Sequence, residues 1–317
     1  MIDRGTNIIQ VRPSTLCPHN CVFCSVDAGP NSRTRAAEFQ VDEEWLHRWV
    51  KELASVKTRQ VEALLDGVGE PLTHPRITRV ISLLRETPGV ARVALETHGG
   101  FLSKSLARRL DEAGLDRINL SIDSGIPERA RMLAGVDWYD PERILRVAEW
   151  IIENTGIDVV LTPVYVPGLS RPEDLKPLVE WARRAGAGKK SGWPTGVLIQ
   201  KYEVHRYGRK PHGARNWPWN RFYKWLRKLE RETGYRLLVD FEELGYARDV
   251  KLEEPYRKGD KVPLTVVAPG WHHGEYLAVD RRLSRVFSLF TDRPLRPGSR
   301  VNAIVVRSKD NIYVARV

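Results

Sequence analysis

Cys17, Cys21 and Cys24 fall within eight residues of one another, and the chain has no other cysteine. Their C-x3-C-x2-C spacing places three thiols on one loop, directly after an apolar run from Asn7 to Val11. An odd, tightly clustered set is a poor disulfide framework and a good metal framework. Two metals suit these donors. Three thiolates can each hold one iron of a [4Fe–4S] cluster, leaving the fourth iron open to a small chelating molecule. Zinc bound by the three cysteines and His19 is the competing arrangement, although zinc sites more often pair two C-x2-C elements.

Further candidates sit where apolar, strand-like runs end. Asp66-Gly67-Val68-Gly69-Glu70-Pro71 follows the second such run. Its glycines permit close backbone approach, and its carboxylate suits an ammonium group. Glu96-Thr97-His98-Gly99-Gly100 follows the third run, and Asn119-Leu120-Ser121-Ile122-Asp123-Ser124 closes the fourth. Leu161 to Gly168, with Val164 at its centre, forms the fifth. Each alone reads as an ordinary turn between strand and helix. In barrel-type folds, however, the C-terminal ends of the strands carry the chemistry.

Taken in order from Gly5 to Gly168, these motifs make the chain similar to the radical S-adenosylmethionine (SAM) superfamily, in particular its archaeal-type Fe–S oxidoreductases. That family uses this cysteine spacing with an aromatic residue before the third cysteine, the place held here by Phe23. The resemblance implies Cys17, Cys21 and Cys24 as ligands of a [4Fe–4S] cluster, with SAM chelated to the open iron. It places Gly67, Gly69 and Glu70 at the amino group of SAM, Ser121 and Asp123 at its ribose or carboxylate, and Val164 beside its adenine. Thr97 and His98 belong to the same pocket, with His98 standing where the family has asparagine. It further implies a one-electron donor such as ferredoxin or flavodoxin, and a 5′-deoxyadenosyl radical that removes a hydrogen atom from substrate. Gln200, Tyr202, Glu203 and His205, at the end of a sixth strand, are expected to face that substrate. With every cysteine committed, no auxiliary cluster, methyl-carrying cysteine or thiyl radical is expected, and no stretch resembles a cobalamin-binding domain.

The elements that must position these residues alternate regularly. Strands are expected at Asn7–Val11, Val61–Asp66, Arg92–Glu96, Arg117–Ile122, Asp158–Val166 and Gly196–Tyr202. Helices are expected from Asp42, with Trp45, Leu46 and Trp49 on one face, and at Pro75–Arg85, Leu102–Ala113, Pro141–Asn154, Pro172–Ala185 and Asn220–Thr233. Six β/α units imply a parallel sheet with helices outside, short of the eight that close a full barrel. The fold class is therefore α/β, a partial (β/α)6 TIM-like barrel spanning residues 1–254. From residue 255 to 317 five short β-rich runs, separated by Pro-Gly turns, suggest a small all-β barrel of the OB or TRAM-like kind.

The formal charge of +11 is concentrated. Lys189–Lys228 carries 11 Lys/Arg against 1 acid, and Tyr256–Val317 carries 12 against 5, which leaves the remainder acidic. A localised basic excess points to a polyanion. The first of these segments also holds Trp193, Tyr202, Tyr207, Trp217, Trp219, Tyr223 and Trp225, which suit stacking on unpaired bases or simple core packing. The Trp271-His272-His273-Gly274 turn offers histidines to phosphate or reads as plain surface. RNA, and transfer RNA first, is the expected partner, reached through Lys189–Lys228 and the C-terminal barrel. A small metabolite or a peptide is the alternative substrate, and a non-catalytic, zinc-stabilised RNA-binding protein is the alternative of another class. The Arg- and Glu-rich composition also suits a thermophile's ion-pair surface. No run of about 18 apolar residues exists to span a membrane, and a cytoplasmic location is expected.

Overall fold

A computed structural model describes all 317 residues. The short strand β1 (Ile2–Asp3) pairs antiparallel with β2 (Ile8–Val11), which opens the central sheet. The loop holding the cysteines then leads to α1 (Glu43–Ser55), followed by β3 (Val61–Leu65), α2 (Ile77–Arg85) and β4 (Val90–Thr97). Next come α3 (Lys104–Glu112), β5 (Arg117–Leu120), α4 (Pro127–Ala134), α5 (Pro141–Asn154) and β6 (Asp158–Leu161). Strands β2 to β6 are parallel neighbours in sequence order, so every crossover helix lies against the sheet and all active-site loops leave the same edge. Strands β5 and β6 are buried at every residue, as a sheet covered on both faces requires.

Beyond β6 the predicted long strands break. Thr162 and Pro163 interrupt the run from Asp158, and only β7 (Val164–Tyr165) resumes it. Proline lacks the N–H that a ladder needs. After α6 (Pro172–Ala185), the predicted strand Gly196–Tyr202 reduces to a bridge between Leu161 and Val197 and to β8 (Gln200–Lys201), paired with β7. The sheet consequently stays open as a partial barrel, with α7 (Trp219–Thr233) closing the unit. Helix α4 was not expected from the sequence.

Local chemistry sets the helix ends. The Asp42 carboxylate accepts from the N–H groups of Glu44 and Trp45, and Asp140 accepts from Arg143 N–H at 2.9 Å. Gly114, with φ +90°, ends the turn after α3. Trp45, Leu46 and Trp49 share one side of α1, but Trp45 and Trp49 are 56% and 50% exposed, and the buried face is Leu46, Val50, Leu53 and Ala54.

The C-terminal strands β9 (Lys261–Pro269), β10 (Glu275–Asp280), β11 (Val286–Phe290), β12 (Arg300–Arg307) and β13 (Tyr313–Arg316) close in the order β9-β10-β11-β13-β12. All pairs are antiparallel except β11 with β13. This is the Greek-key order of an OB-like barrel. Its apolar interior, from Val262 to Ala315, is a core separate from the one beneath the parallel sheet. The Trp271–Gly274 turn is not plain surface, because His272 is buried against the cysteine-bearing unit. No helix is long and apolar enough to cross a membrane.

Candidate active site

The C-terminal ends of the parallel strands enclose a cavity of about 200 Å³. Cys17, Cys21 and Cys24 line it together with Phe23, Gly67, Gly69, Glu70, Thr97, His98, Ser121, Val164 and Gln200. Residues from the cysteine loop and the five following strand ends therefore meet at one place. Gly69 packs so closely on the cysteine loop that a Cβ there would sit 2.3 Å from the Thr15 carbonyl oxygen. Only glycine permits that approach.

Glu70 is fully enclosed and organises the neighbouring turn. Its Oε1 accepts from Thr97 Oγ1 at 2.8 Å and from Leu72 N–H at 3.1 Å, while Oε2 accepts from His98 N–H at 3.0 Å. Burial raises its pKa above the ordinary carboxylate value despite these bonds. Three of its roughly four acceptor sites are thus taken by the protein. The His98 ring donates from Nδ1 to the Ser121 carbonyl at 3.1 Å, because a carbonyl only accepts. That bond turns Nε2 toward Cys21 Sγ at 3.5 Å.

Asp123 sets its negative charge close to Cys21. It is buried outside the cavity lining, where its carboxylate accepts from Val164 N–H at 2.8 Å and ties two strand ends together. Two acids that the sequence reading had not singled out do line the cavity, Asp66 and Glu96. Burial, with Asp66 adding like charge, pushes Glu96 up to about 7. Both residues stand in the quoted strand-end motifs, and their inward position is the signal that could have found them.

The donor set fits a cluster better than a single ion. Burial, followed by nearby negative charge, drives the Cys17 and Cys21 thiols well above the ordinary range, a burden that bound iron relieves. No three of the His, Cys, Asp and Glu side chains converge on one ion position. Thiolates that each bind their own iron do not need to converge, whereas zinc ligands do. His19 lies beside the cysteine loop, with Nδ1 3.9 Å from Cys17 Sγ and its ring packed against His98, Trp138 and Tyr139. The acids Asp66, Glu70 and Glu96 further suit a ligand carrying ammonium and sulfonium charges.

A model of the family described as the Radical SAM superfamily matches residues 11–182. The chain belongs to the radical SAM superfamily. An uncharacterized protein of Methanocaldococcus jannaschii is 33% identical over 100% of this chain and 76% of that protein. A GTP 3',8-cyclase of Chlorobaculum tepidum is 25% identical over 54% of this chain, and the match spans about half of the cyclase, 48%. Among solved structures, Streptococcus suis SuiB bound to precursor peptide SuiA superposes with a TM-score of 0.56 at 16% identity, covering 74% of this chain and 48% of that one. The shared part is the fold. The protein is a radical SAM enzyme with a [4Fe–4S] cluster and SAM as cofactors, and its chemistry requires a reductant.

A second cavity of about 700 Å³ opens from the first and shares Phe23, Ser25, Val164 and Gln200 with it. Gln200, Tyr202, Glu203 and His205 line this larger space. Tyr202 is buried with Phe23, Leu133 and Val166, and its hydroxyl donates to the Arg209 carbonyl at 3.2 Å. Glu203 pairs with Lys201 at 3.4 Å, and both Glu203 and His205 are exposed at the rim.

Most aromatics of Lys189–Lys228 serve packing. Trp193 is buried with its Nε1 donating to the Leu244 carbonyl at 3.1 Å, and Trp225 stacks on Tyr165 at 3.8 Å. Trp219 and Tyr223 differ: they are 51% and 41% exposed, stack on each other at 5.6 Å, and line the larger cavity. Three of the segment's cations are also engaged by the protein itself. Lys190 donates to carbonyls at the end of α5, Lys201 to Asn216 and Arg209 to the cysteine loop.

Proposed function

We propose that this radical SAM enzyme modifies RNA, with transfer RNA the class to test first. The observation that carries the reading is the exposed Trp219–Tyr223 stack at the larger cavity, on a helix that also exposes Arg221, Lys224, Arg227 and Lys228. Such a platform beside cations suits an unpaired base and its phosphates. A base entering here would lie with its edge toward Gln200, Glu203 and His205, and its sugar toward the Phe23 and Val164 wall shared with the cofactor cavity. The bound cofactors supply one-electron cleavage of a sulfonium and hydrogen-atom abstraction. The residues lining the two cavities would hold cofactor and substrate side by side across the shared Phe23, Ser25, Val164 and Gln200 wall and exclude water. An acidic carrier of the ferredoxin or flavodoxin kind is the matching reductant.

A peptide or small metabolite is the second reading, favoured by the names of the relatives. For a nucleoside triphosphate the larger cavity is poorly charged: Lys201 is its one cation, and that amine is spent on Glu203 and Asn216. An apolar peptide segment would suit the lining better.

The deciding experiment is anaerobic. The reconstituted protein is given SAM and dithionite, and 5′-deoxyadenosine is measured with and without transfer RNA from an organism lacking the gene. Stimulation by transfer RNA, with a new mass in the digested nucleosides, supports the proposal. Formation that transfer RNA leaves unchanged overturns the RNA reading and moves the search to peptides and metabolites.

A further inference from the structure

Arg35 is the cation that joins the two ends of the cysteine loop to the glycine-rich turn. Its side chain is almost wholly buried. One guanidinium nitrogen donates to the Thr15 carbonyl at 2.7 Å, two residues before Cys17, and Nε donates to the Val26 carbonyl at 3.1 Å, two residues after Cys24. The remaining nitrogen donates to the carbonyl of Val68, between Gly67 and Gly69. Glu38 adds a carboxylate at 3.0 Å. A planar fork with five N–H groups can serve three diverging carbonyls at once, and lysine's single amine cannot.

The C-terminal barrel holds that fork in place. Its Trp271 ring lies over the guanidinium, 5.0 Å from carbon to ring centre. The backbone beside Arg35 pairs with the same turn: Ala36 N–H donates to the Trp271 carbonyl at 2.6 Å, and His273 N–H donates to the Thr34 carbonyl at 3.0 Å. Glu275 shapes the turn from inside by accepting from His272 N–H at 3.0 Å. On its other side His272 stacks on Tyr207 at 4.3 Å, in the segment that follows the rim residues Glu203 and His205. The turn therefore touches both the support of the cysteine loop and the segment that follows the rim of the larger cavity.

We infer that the barrel's Trp271–His272 turn, acting through Arg35, is a positioning device that holds the cysteine loop against the Gly67–Glu70 turn. The barrel is then part of the catalytic framework as well as a surface for substrate. This inference rests on the cluster site described above, and Arg35 and Trp271 are positioning residues that stand outside the lining of the cysteine cavity.

The test uses the full-length protein and the variants Arg35→Lys, Trp271→Ala and Trp271→Phe, with His273→Ala at the exposed neighbouring position as control. In the metal-free proteins, amide hydrogen exchange at residues 15–28 is expected to speed up in Arg35→Lys and Trp271→Ala, and to stay at the wild-type rate in Trp271→Phe and His273→Ala. In the reconstituted proteins, iron loss to a chelator and the SAM dissociation constant should each rise about tenfold in the first two variants, with an altered electron paramagnetic resonance spectrum of the reduced cluster. Wild-type exchange, iron retention and SAM affinity in Arg35→Lys would overturn the inference, and that variant leaves the barrel core intact should Trp271→Ala unfold. If the wild type takes up no cluster while loop exchange still responds, the cluster assignment fails and the positioning role stands.

Discussion

The guanidinium of Arg209 donates to the carbonyl of Cys21 at 2.9 Å, across 188 residues of chain. It also donates to the Ala28 carbonyl at 2.8 Å and to Asp27 at 2.7 Å, and the Arg209 N–H reaches the Cys24 carbonyl at 2.8 Å. A residue from the basic segment is thereby committed to the cysteine loop and withdrawn from any polyanion. Hydrogen bonds to charged groups contribute about 1.5–3 kcal/mol each when one partner is removed. Arg209→Ala should lower the stability of the metal-free protein by about 3 kcal/mol, read from denaturant midpoints, and Arg209→Lys should restore only part of it.

Gly69→Ala probes the close approach of the glycine turn to the cysteine loop. The new Cβ would meet backbone atoms of Thr15 and Leu16, which have little room to yield. Overpacking of this kind costs about 1–3 kcal/mol. Isothermal titration of the reconstituted variant should show SAM binding lost or strongly weakened, and wild-type affinity would contradict the placement of this turn.

Glu96 gives the cavity a pH dependence. Its pKa in the folded chain is pushed from 4.5 to about 7, chiefly by burial. With the folded value raised, its favourable contribution is complete below pH 4.5 and is lost as pH climbs through about 7. Two to three pKa units correspond to about 3 kcal/mol. Glu96→Gln in the metal-free protein should therefore flatten the fall in melting temperature between pH 4.5 and about 7.

At the opposite end of the sheet, Arg117 is enclosed with Glu62 at 2.5 Å, Tyr246 at 2.9 Å and the Trp193 ring at 4.0 Å. Removing one member leaves a buried charge without its partner. Glu62→Gln should cost about 3–5 kcal/mol in thermal or chemical unfolding, whereas replacing both Glu62 and Arg117 by methionine should cost much less.

For the proposed RNA reading, Trp219→Ala and Tyr223→Ala should each weaken transfer RNA binding by about 1–3 kcal/mol without altering iron content. Binding by the wild type should fall steeply between low and moderate salt. Filter binding at several ionic strengths checks both expectations.

Much of this protein was decided by local pattern. Cysteine spacing, glycine-rich strand ends, the caps Asp42 and Asp140, and the five short C-terminal strands are all set by residues within a few positions of one another. The partial barrel, the small barrel and the cavity-lining cysteines followed from them. What the tertiary structure alone decided are the partners of polar and aromatic side chains. Arg209 looks like a member of a basic surface in the sequence and Arg35 carries no mark there, yet both close on carbonyls of the cysteine loop. Trp45 and Trp49 share a helix with a buried stripe but fall beside it, and most tryptophans of the basic segment are packed while Trp219 stays in solvent. Asp123 belongs to a strand-end motif in the sequence, and the fold adds the Val164 N–H that it accepts, joining two strand ends. Hydrophobic period and turn chemistry act over a few residues and can be read along the chain. Burial of a charge, the choice of its partner and the exposure of an aromatic ring depend on which distant segments the completed fold brings into contact.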